Sequence, residues 1–295
     1  MKIRNLMFVF LAAGMAAIAA QAAAPAAAPA PGAAPAAARP PGGTPSRGED
    51  TLAQAHDGYF GALAPENLNK PRPKPPFDMT GTWFVNLRDG ASFRFGPPYP
   101  EFYEPGQTAL KEAAEARAKN EPYRDSIGKC YPAGMPMIMT RVHPTSIVQL
   151  PTIAYMLFGF TNSMRFIYLD GRTHSDPDIV VYTYNGESIG KWENDALVVH
   201  TKYLEPNEHY IDSGIPISDQ FEIVERITME SDGMLRIDYT MTDPKMWKGE
   251  WKNTKRFIRK DYSDIPESEC LPNLNENLPS TAAGQRAIEE RGTAQ

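Results

Sequence analysis

The chain has 295 residues, 42% of them hydrophobic, and a formal net charge of −6. No run of Lys and Arg stands out against this acidic balance, which argues against nucleic-acid binding. After the N-terminal apolar stretch nothing reaches membrane-spanning length, so no membrane span is expected in the mature protein.

Met1–Asn5 carries Lys2 and Arg4, Leu6–Ala20 is apolar and uncharged, and Ala20-Gln21-Ala22 places small residues where a signal peptidase reads. Residues 1–22 therefore read as a secretory signal peptide, which makes the protein periplasmic or secreted. Residues 23–76 are Ala/Pro-rich and end in Lys70-Pro71-Arg72-Pro73-Lys74-Pro75-Pro76. Proline breaks helix and the stretch has little to bury, so a disordered or extended linker is expected. The folded domain is expected over 77–265, large enough to build a core without staples. An irregular tail is expected over 266–295.

Within the domain, Thr80–Leu87 reads as a strand and Gln107–Asn120, rich in Ala, as the one clear helix. Cys130–Met139 is too Pro-rich for a regular element and reads as a loop over the core. From Ile147 onward strand follows strand: Ile147–Leu150, Ile153–Phe160, Met164–Leu169, Ile179–Tyr184, Ser188–Trp192, Ala196–Tyr203, Phe221–Met229, Met234–Met241 and Trp251–Arg259. Asn194-Asp195 and Ser231-Asp232-Gly233 mark hairpin turns. Many short strands with turns between them mean an all-β, mostly antiparallel barrel or closed sandwich with one helix on its N-terminal side. The only cysteines are Cys130 and Cys270. In an oxidising compartment they are expected to pair, closing a long loop worth about 4–5 kcal/mol in the chain-entropy model.

Alternation picks out candidate site residues. Phe221, Ile223, Glu225, Ile227 and Met229 share one face of their strand, so Glu225 is a carboxylate on an apolar face. Such a group is paired, hydrogen-bonded or protonated. It reads either as a ligand anchor or acid/base, or as a structural ion pair with an internal Arg such as Arg165 or Arg256. If Asn194-Asp195 is a two-residue turn, Ile189 pairs with His200 and Glu187 lies diagonally from His200, roughly 7–8 Å away at Cα. A Glu–His pair there is suited to proton transfer. Tyr155, Tyr168, Tyr182, Tyr184 and Tyr239, with Phe158, Phe160 and Phe166, are candidates to line an interior, and Arg165 and His174 to add polar contacts to a ligand. His143, His174 and His209 stand singly in loop contexts. No zinc spacing or Walker loop appears, and neither metal nor cofactor is expected.

Two resemblances are carried by motifs. Gly81-Thr82-Trp83 near the first strand, with Arg256 or Arg259 on the last, resembles the G-x-W and terminal Arg of lipocalin-like (calycin) barrels, which implies a Trp packed across the barrel floor against an Arg. Asp170-Gly171-Arg172-Thr173-His174, followed by the segment from Gly186 to Thr201, resembles a large family of secreted bacterial proteins carrying D-G-R-x-H and G-H-S-[IV]-G-R-W-E-G-D-T-L-V-V-D-T. That resemblance runs from the Cys130 loop through Glu225-Arg226 and Asp243-Pro244 to the Cys270 tail. Where the family has His this chain has Glu187, and where it has Asp this chain has His200. The exchange is what a contacting pair tolerates.

These features lead to an expected function: binding of a small apolar or aromatic molecule inside the barrel, anchored by Glu225. The competing expectation is a cofactor-free isomerase, lyase or hydratase using Glu225 and His200 as acid and base in the same pocket. A third is a solid barrel whose outer face binds an envelope partner.

Overall fold

The computed structural model describes residues 61–89, 94–121, 123–124, 126–211 and 214–270. The signal peptide expected over 1–22 and most of the linker and tail lie outside the described residues.

Among the described residues, nine strands close into a barrel. In barrel order they are β1 (Gly81–Val85), β13 (Glu250–Arg259), β11 (Leu235–Thr242), β10 (Glu222–Met229), β7 (Ala196–Lys202), β6 (Glu187–Glu193), β5 (Met164–Tyr168), β4 (Ile153–Phe158) and β3 (Thr145–Gln149). Short pairs lie outside this sheet: β2 (Glu101–Phe102) with β12 (Trp247–Lys248), and β8 (Tyr210–Ile211) with β9 (Ile215–Pro216). Helix α1 is Pro65–Leu68 and helix α2 is Glu104–Lys119. Helix α2 begins three residues before its expected start, with Glu104 in the first turn and a proline among the first helical positions, where its missing N–H is not needed. It ends on Asn120, which adopts the left-handed conformation at φ 57°.

The fold is therefore the expected all-β barrel, with one departure from antiparallel order. β5 and β6 pair in parallel, Ile167 opposite Ser188 and Tyr168 opposite Ile189. A parallel pair needs a crossover, and the segment from Leu169 to Gly186 supplies it. Ile179–Tyr184, expected as a strand, lies in this crossover and forms only an isolated bridge from Thr183 to Leu204. Its β-branched residues favour extended backbone, but strand propensity is realised only against a partner. Val181 stays 78% exposed.

Closure runs through β1, which pairs with β3 on one side and β13 on the other, setting Trp83 opposite both Thr145 and Arg259. The Trp83 indole N–H donates to the Met79 carbonyl at 2.8 Å, and the Arg259 guanidinium sits 5.7 Å from the ring centroid. Gly81 has φ +147°, and a Cβ there would come within 3.0 Å of the Arg259 guanidinium. That backbone conformation favours glycine, while the Arg259 side chain can move aside.

Cys130 and Cys270 are joined as a disulfide. Residues 61–76, placed in the linker by their composition, hold α1 and bond to the barrel: the Thr152 hydroxyl donates to the Ala62 carbonyl at 2.6 Å, and Asn67 Nδ2 to Asp170 Oδ2 at 3.0 Å. No helix among the described residues is long and apolar enough to cross a membrane.

Candidate functional site

The alternation in β10 holds: Ile223, Glu225 and Ile227 point into the barrel, while Val224 and Arg226 face out. Glu225 meets Arg165 of β5, and both side chains have no solvent exposure. Arg165 Nη1 donates to Glu225 Oε1 at 3.0 Å, and Nη2 makes a short contact to Oε2. The remaining donors are also used: Nη2 reaches Thr201 Oγ1 at 2.9 Å and Nε reaches Ser188 Oγ at 3.0 Å. The carboxylate is thus answered by a two-pronged guanidinium, the strong form of this pair. Of the readings open for Glu225, the geometry matches the ion pair with Arg165. Arg256, the other candidate partner, pairs instead with Glu230. Tyr239 stands opposite Glu225 in the register, with Phe95 edge-on at 5.2 Å. Burial, reinforced by the Glu225 charge, pushes its phenol well above the usual tyrosine range.

The titratable groups that meet one another in reach of water lie on the outside of the wall. On β7, Val198, His200 and Lys202 point outward because Leu197, Val199 and Thr201 fill the interior. His200 Nε2–H donates to Glu222 Oε2 at 2.8 Å, and Lys202 Nζ lies 3.0 Å from Glu222 Oε1. Glu187 on β6 accepts from His174 Nδ1–H at 2.8 Å, from the Ser175 N–H at 2.9 Å and from the Ser175 hydroxyl at 2.6 Å. The His174 and His200 rings meet edge to face, 4.9 Å apart. A chain thus runs Glu187–His174–His200–Glu222–Lys202, two His–carboxylate pairs in ring contact. Burial raises the carboxyl pKa of both Glu187 and Glu222. The hydrogen bonds outweigh it, from His174 and Ser175 on one and from Lys202 and His200 on the other, so both sit below the usual range. Tyr203 borders the cluster with its hydroxyl donating to the Ser175 carbonyl at 2.8 Å, and its ring lies 5.7 Å from that of Tyr182.

Lys202, Tyr203 and Glu222 line a cleft of about 600 Å³ together with Tyr103 and the largely buried Phe221 and Trp247. Asp243 also lines it, with its carboxylate taken by the Ser218 hydroxyl and backbone N–H groups, while burial, the larger effect, raises its pKa. The cleft combines an apolar aromatic surface with a few converging polar groups, the usual make-up of a small-molecule site.

Several expectations are corrected by this placement. His200 and Glu225 are on opposite faces of the sheet: Glu225 pairs in register with Val199, and His200 with Val224. They share no pocket. The register expected for the first hairpin is correct, with Ile189 opposite His200. Glu187 and His200 nevertheless bond to His174 and Glu222 rather than to each other, because the crossover inserts His174 between them. Tyr155 and Tyr168 point outward, Tyr155 against Phe166 at 5.5 Å and Tyr168 under the Arg172 guanidinium at 3.8 Å. Tyr182 lies in the crossover. Among the tyrosines expected to line the interior, Tyr239 does so. The residues missed were Glu222, Lys202, Tyr203 and Trp247. The first three lie on outward faces or just beyond a strand, and their sequence signal was only the alternation itself. Gly186-Glu187-Ser188-Ile189-Gly190 also spells G-x-S-x-G. It marks no nucleophile here: Ser188 is fully buried in a strand and bonded to Arg165 and Thr201, whereas the nucleophile elbow needs a tight strand-to-helix turn.

No protein-family model matches the chain, and no curated protein matches it. Among solved structures, the wild-type fluorescent protein UnaG aligns at 12% identity over 62% of this chain and 97% of its own, with a TM-score of 0.31. A point mutant of the same protein aligns at 12% identity over 62% of this chain and 96% of its own, with a TM-score of 0.29. The fold assignment rests on the strand order and closure of the barrel itself.

Proposed function

We propose that the protein works outside the cytoplasm as a binder of a small aromatic molecule, and that the molecule sits in the 600 Å³ cleft on the barrel wall rather than in the barrel interior. The observation behind this reading is the convergence in one cleft of Tyr103 and Tyr203, backed by the buried rings of Phe221 and Trp247, with the Lys202–Glu222 pair. Aromatic walls grip a flat ring, and the ion pair orients a polar substituent on it. The central polar residue of the interior, Glu225, is already matched by Arg165, and neither side chain is exposed to solvent. The Cys130–Cys270 disulfide agrees with an oxidising compartment.

The test is native mass spectrometry of the protein purified from its own host. A discrete added mass is expected on the wild type and is expected to vanish in Tyr203→Ala. Bare protein in both, with no saturable binding of aromatic compounds, would overturn the reading. One observation favours a second reading, acid–base catalysis on the bound molecule: Glu222, which lines the cleft, is hydrogen-bonded to His200, whose ring meets that of His174. In that case His200→Gln keeps the added mass and loses turnover. Turnover unchanged in His200→Gln would remove catalysis and leave binding.

A further inference from the structure

A second cleft, of about 1060 Å³, is lined by the Pro-rich segment after α1, the turn between β3 and β4, the segment just after β5 and residues Ile189–Trp192 of β6. It is separate from the aromatic cleft and shares no lining residue with it. Its apolar surface is built around Phe77 and Trp192, whose rings meet edge to face at 5.1 Å, with Leu68 and Leu169 beside them. Its charge runs against that of the whole chain. Arg72, Lys74, Arg172 and Lys191 line it besides Lys70, against Asp78 and Asp170, so that even without Lys70 its basic side chains outnumber its acidic ones on a protein of net charge −6.

The pairings sharpen that imbalance. Asp170 is taken by Arg172, which binds it through Nε at 2.9 Å and Nη2 at 2.6 Å. Asp78 accepts from the Thr80 N–H at 2.8 Å, which holds its pKa below the usual range. Among the described residues the acceptors of Arg72 are neutral: Nη1 donates to the Asn67 carbonyl at 2.6 Å and the Lys70 carbonyl at 3.2 Å, and Nη2 to Asn67 Oδ1 at 2.6 Å, which leaves the Nε–H and the second Nη2 hydrogen as a free edge. Its guanidinium is fixed in place, and no carboxylate among the described residues pairs with it. Lys74 has no carboxylate partner among the described residues, and Lys191 has only Glu193, 3.9 Å away and solvent-exposed. Cations gathered in a cleft with low-dielectric walls focus a positive potential on whatever enters it.

We propose that this cleft binds an amphipathic anion, an apolar chain or ring system carrying one carboxylate, sulfonate or phosphate. The apolar body covers Phe77 and Trp192, and the anionic head meets Arg72 and Lys74. Arg72 suits the head because its planar fork matches an oxyanion.

The structure supplies its own reporter. Of the four tryptophans, Trp83, Trp247 and Trp251 are each 1% exposed, whereas Trp192 lines this cleft. Titration of the full-length protein with sodium decanoate is expected to change Trp fluorescence saturably. 1-Decanol and decyltrimethylammonium, with the same chain but no negative charge, are expected to bind at least about tenfold more weakly. Trp192→Phe is expected to abolish the signal. The exposed double variant Lys74→Glu/Lys191→Glu is expected to bind decanoate about tenfold more weakly. Equal affinity for the cationic chain would overturn the proposal. So would a decanoate signal that survives in Trp192→Phe, or undiminished binding by the charge-reversed variant. Binding to phosphatidylglycerol vesicles without binding to decanoate would overturn it in favour of a membrane surface.

Discussion

Replacing Arg165 by Met removes the cation that answers Glu225 and leaves a carboxylate with no solvent exposure among Ile223, Ile227 and Tyr239. Breaking a buried ion pair from one side is worth about 3–5 kcal/mol, because the stranded charge keeps its desolvation penalty. For a domain of this size each kcal/mol moves Tm by about 2–4 °C, so a fall of about 10 °C is expected. Two other polar groups cushion the change without reversing it: the Ser188 and Thr201 hydroxyls, 2.9 Å apart, stay bonded to each other when the guanidinium goes. The double variant Arg165→Met/Glu225→Leu removes both charges and fills the same space with apolar atoms. It is expected within about 2 kcal/mol of wild type, since a buried pair and a well-packed apolar replacement are nearly equal in stability. Urea denaturation of wild type, both single variants and the double variant gives the coupling energy directly. An Arg165→Met single variant within about 1 kcal/mol of wild type, or a double variant as unstable as the sum of the singles, would refute the reasoning.

Three further outcomes follow from other parts of the structure. Burial lowers the His209 pKa from 6.5 to about 4, outweighing its hydrogen bond to the Glu205 carbonyl. The unfolded chain therefore takes up a proton below pH 6.5 that the folded protein refuses until about pH 4. The stability His209 confers is complete above the first value and lost on the way down to the second, about 3 kcal/mol in all; chemical denaturation at several pH values checks it, and His209→Gln should flatten this part of the profile. The Cys130–Cys270 bond spans 140 residues, so Cys130→Ser/Cys270→Ser should lose about 5 kcal/mol in the chain-entropy model. Two reactive thiols in the denatured, unreduced wild type would contradict the bond. Gly134 has φ +63°, and a Cβ there would lie 2.4 Å from His209 Nε2 and 2.6 Å from the Tyr184 carbonyl oxygen. Gly134→Ala should therefore destabilise by about 2 kcal/mol or more, and a Tm equal to wild type would show that the loop yields.

Much of the barrel is legible in the chain because strand patterning is local. β10 and β11 show their inner faces by strict alternation, and Asn194, with φ 54°, turns the β6–β7 hairpin at the place its type suggests. Glu225 stands out for the same reason, since an acid among inward apolar residues breaks a period that depends only on near neighbours. Its partner was harder to fix, as Arg165 lies 60 residues away on a strand that meets β10 only across the closed barrel. Sequence offered Arg165 and Arg256 alike, and the barrel's closure chose between them.

The site followed the opposite pattern. Sequence read Tyr155, Tyr168 and Tyr182 as interior because they are aromatic, yet apolar character does not say which side of a wall is covered. It set Glu187 diagonal to His200 correctly, but nothing local shows that a parallel crossover brings His174 between them or that Glu222 waits on the next strand. The residues themselves determined the strands, their faces and the one acid that needs a cation, since these follow from backbone geometry and the cost of burying charge. Closure of the sheet and the path of the crossover decided which polar groups meet and which remain open to water, because those contacts join segments far apart along the chain.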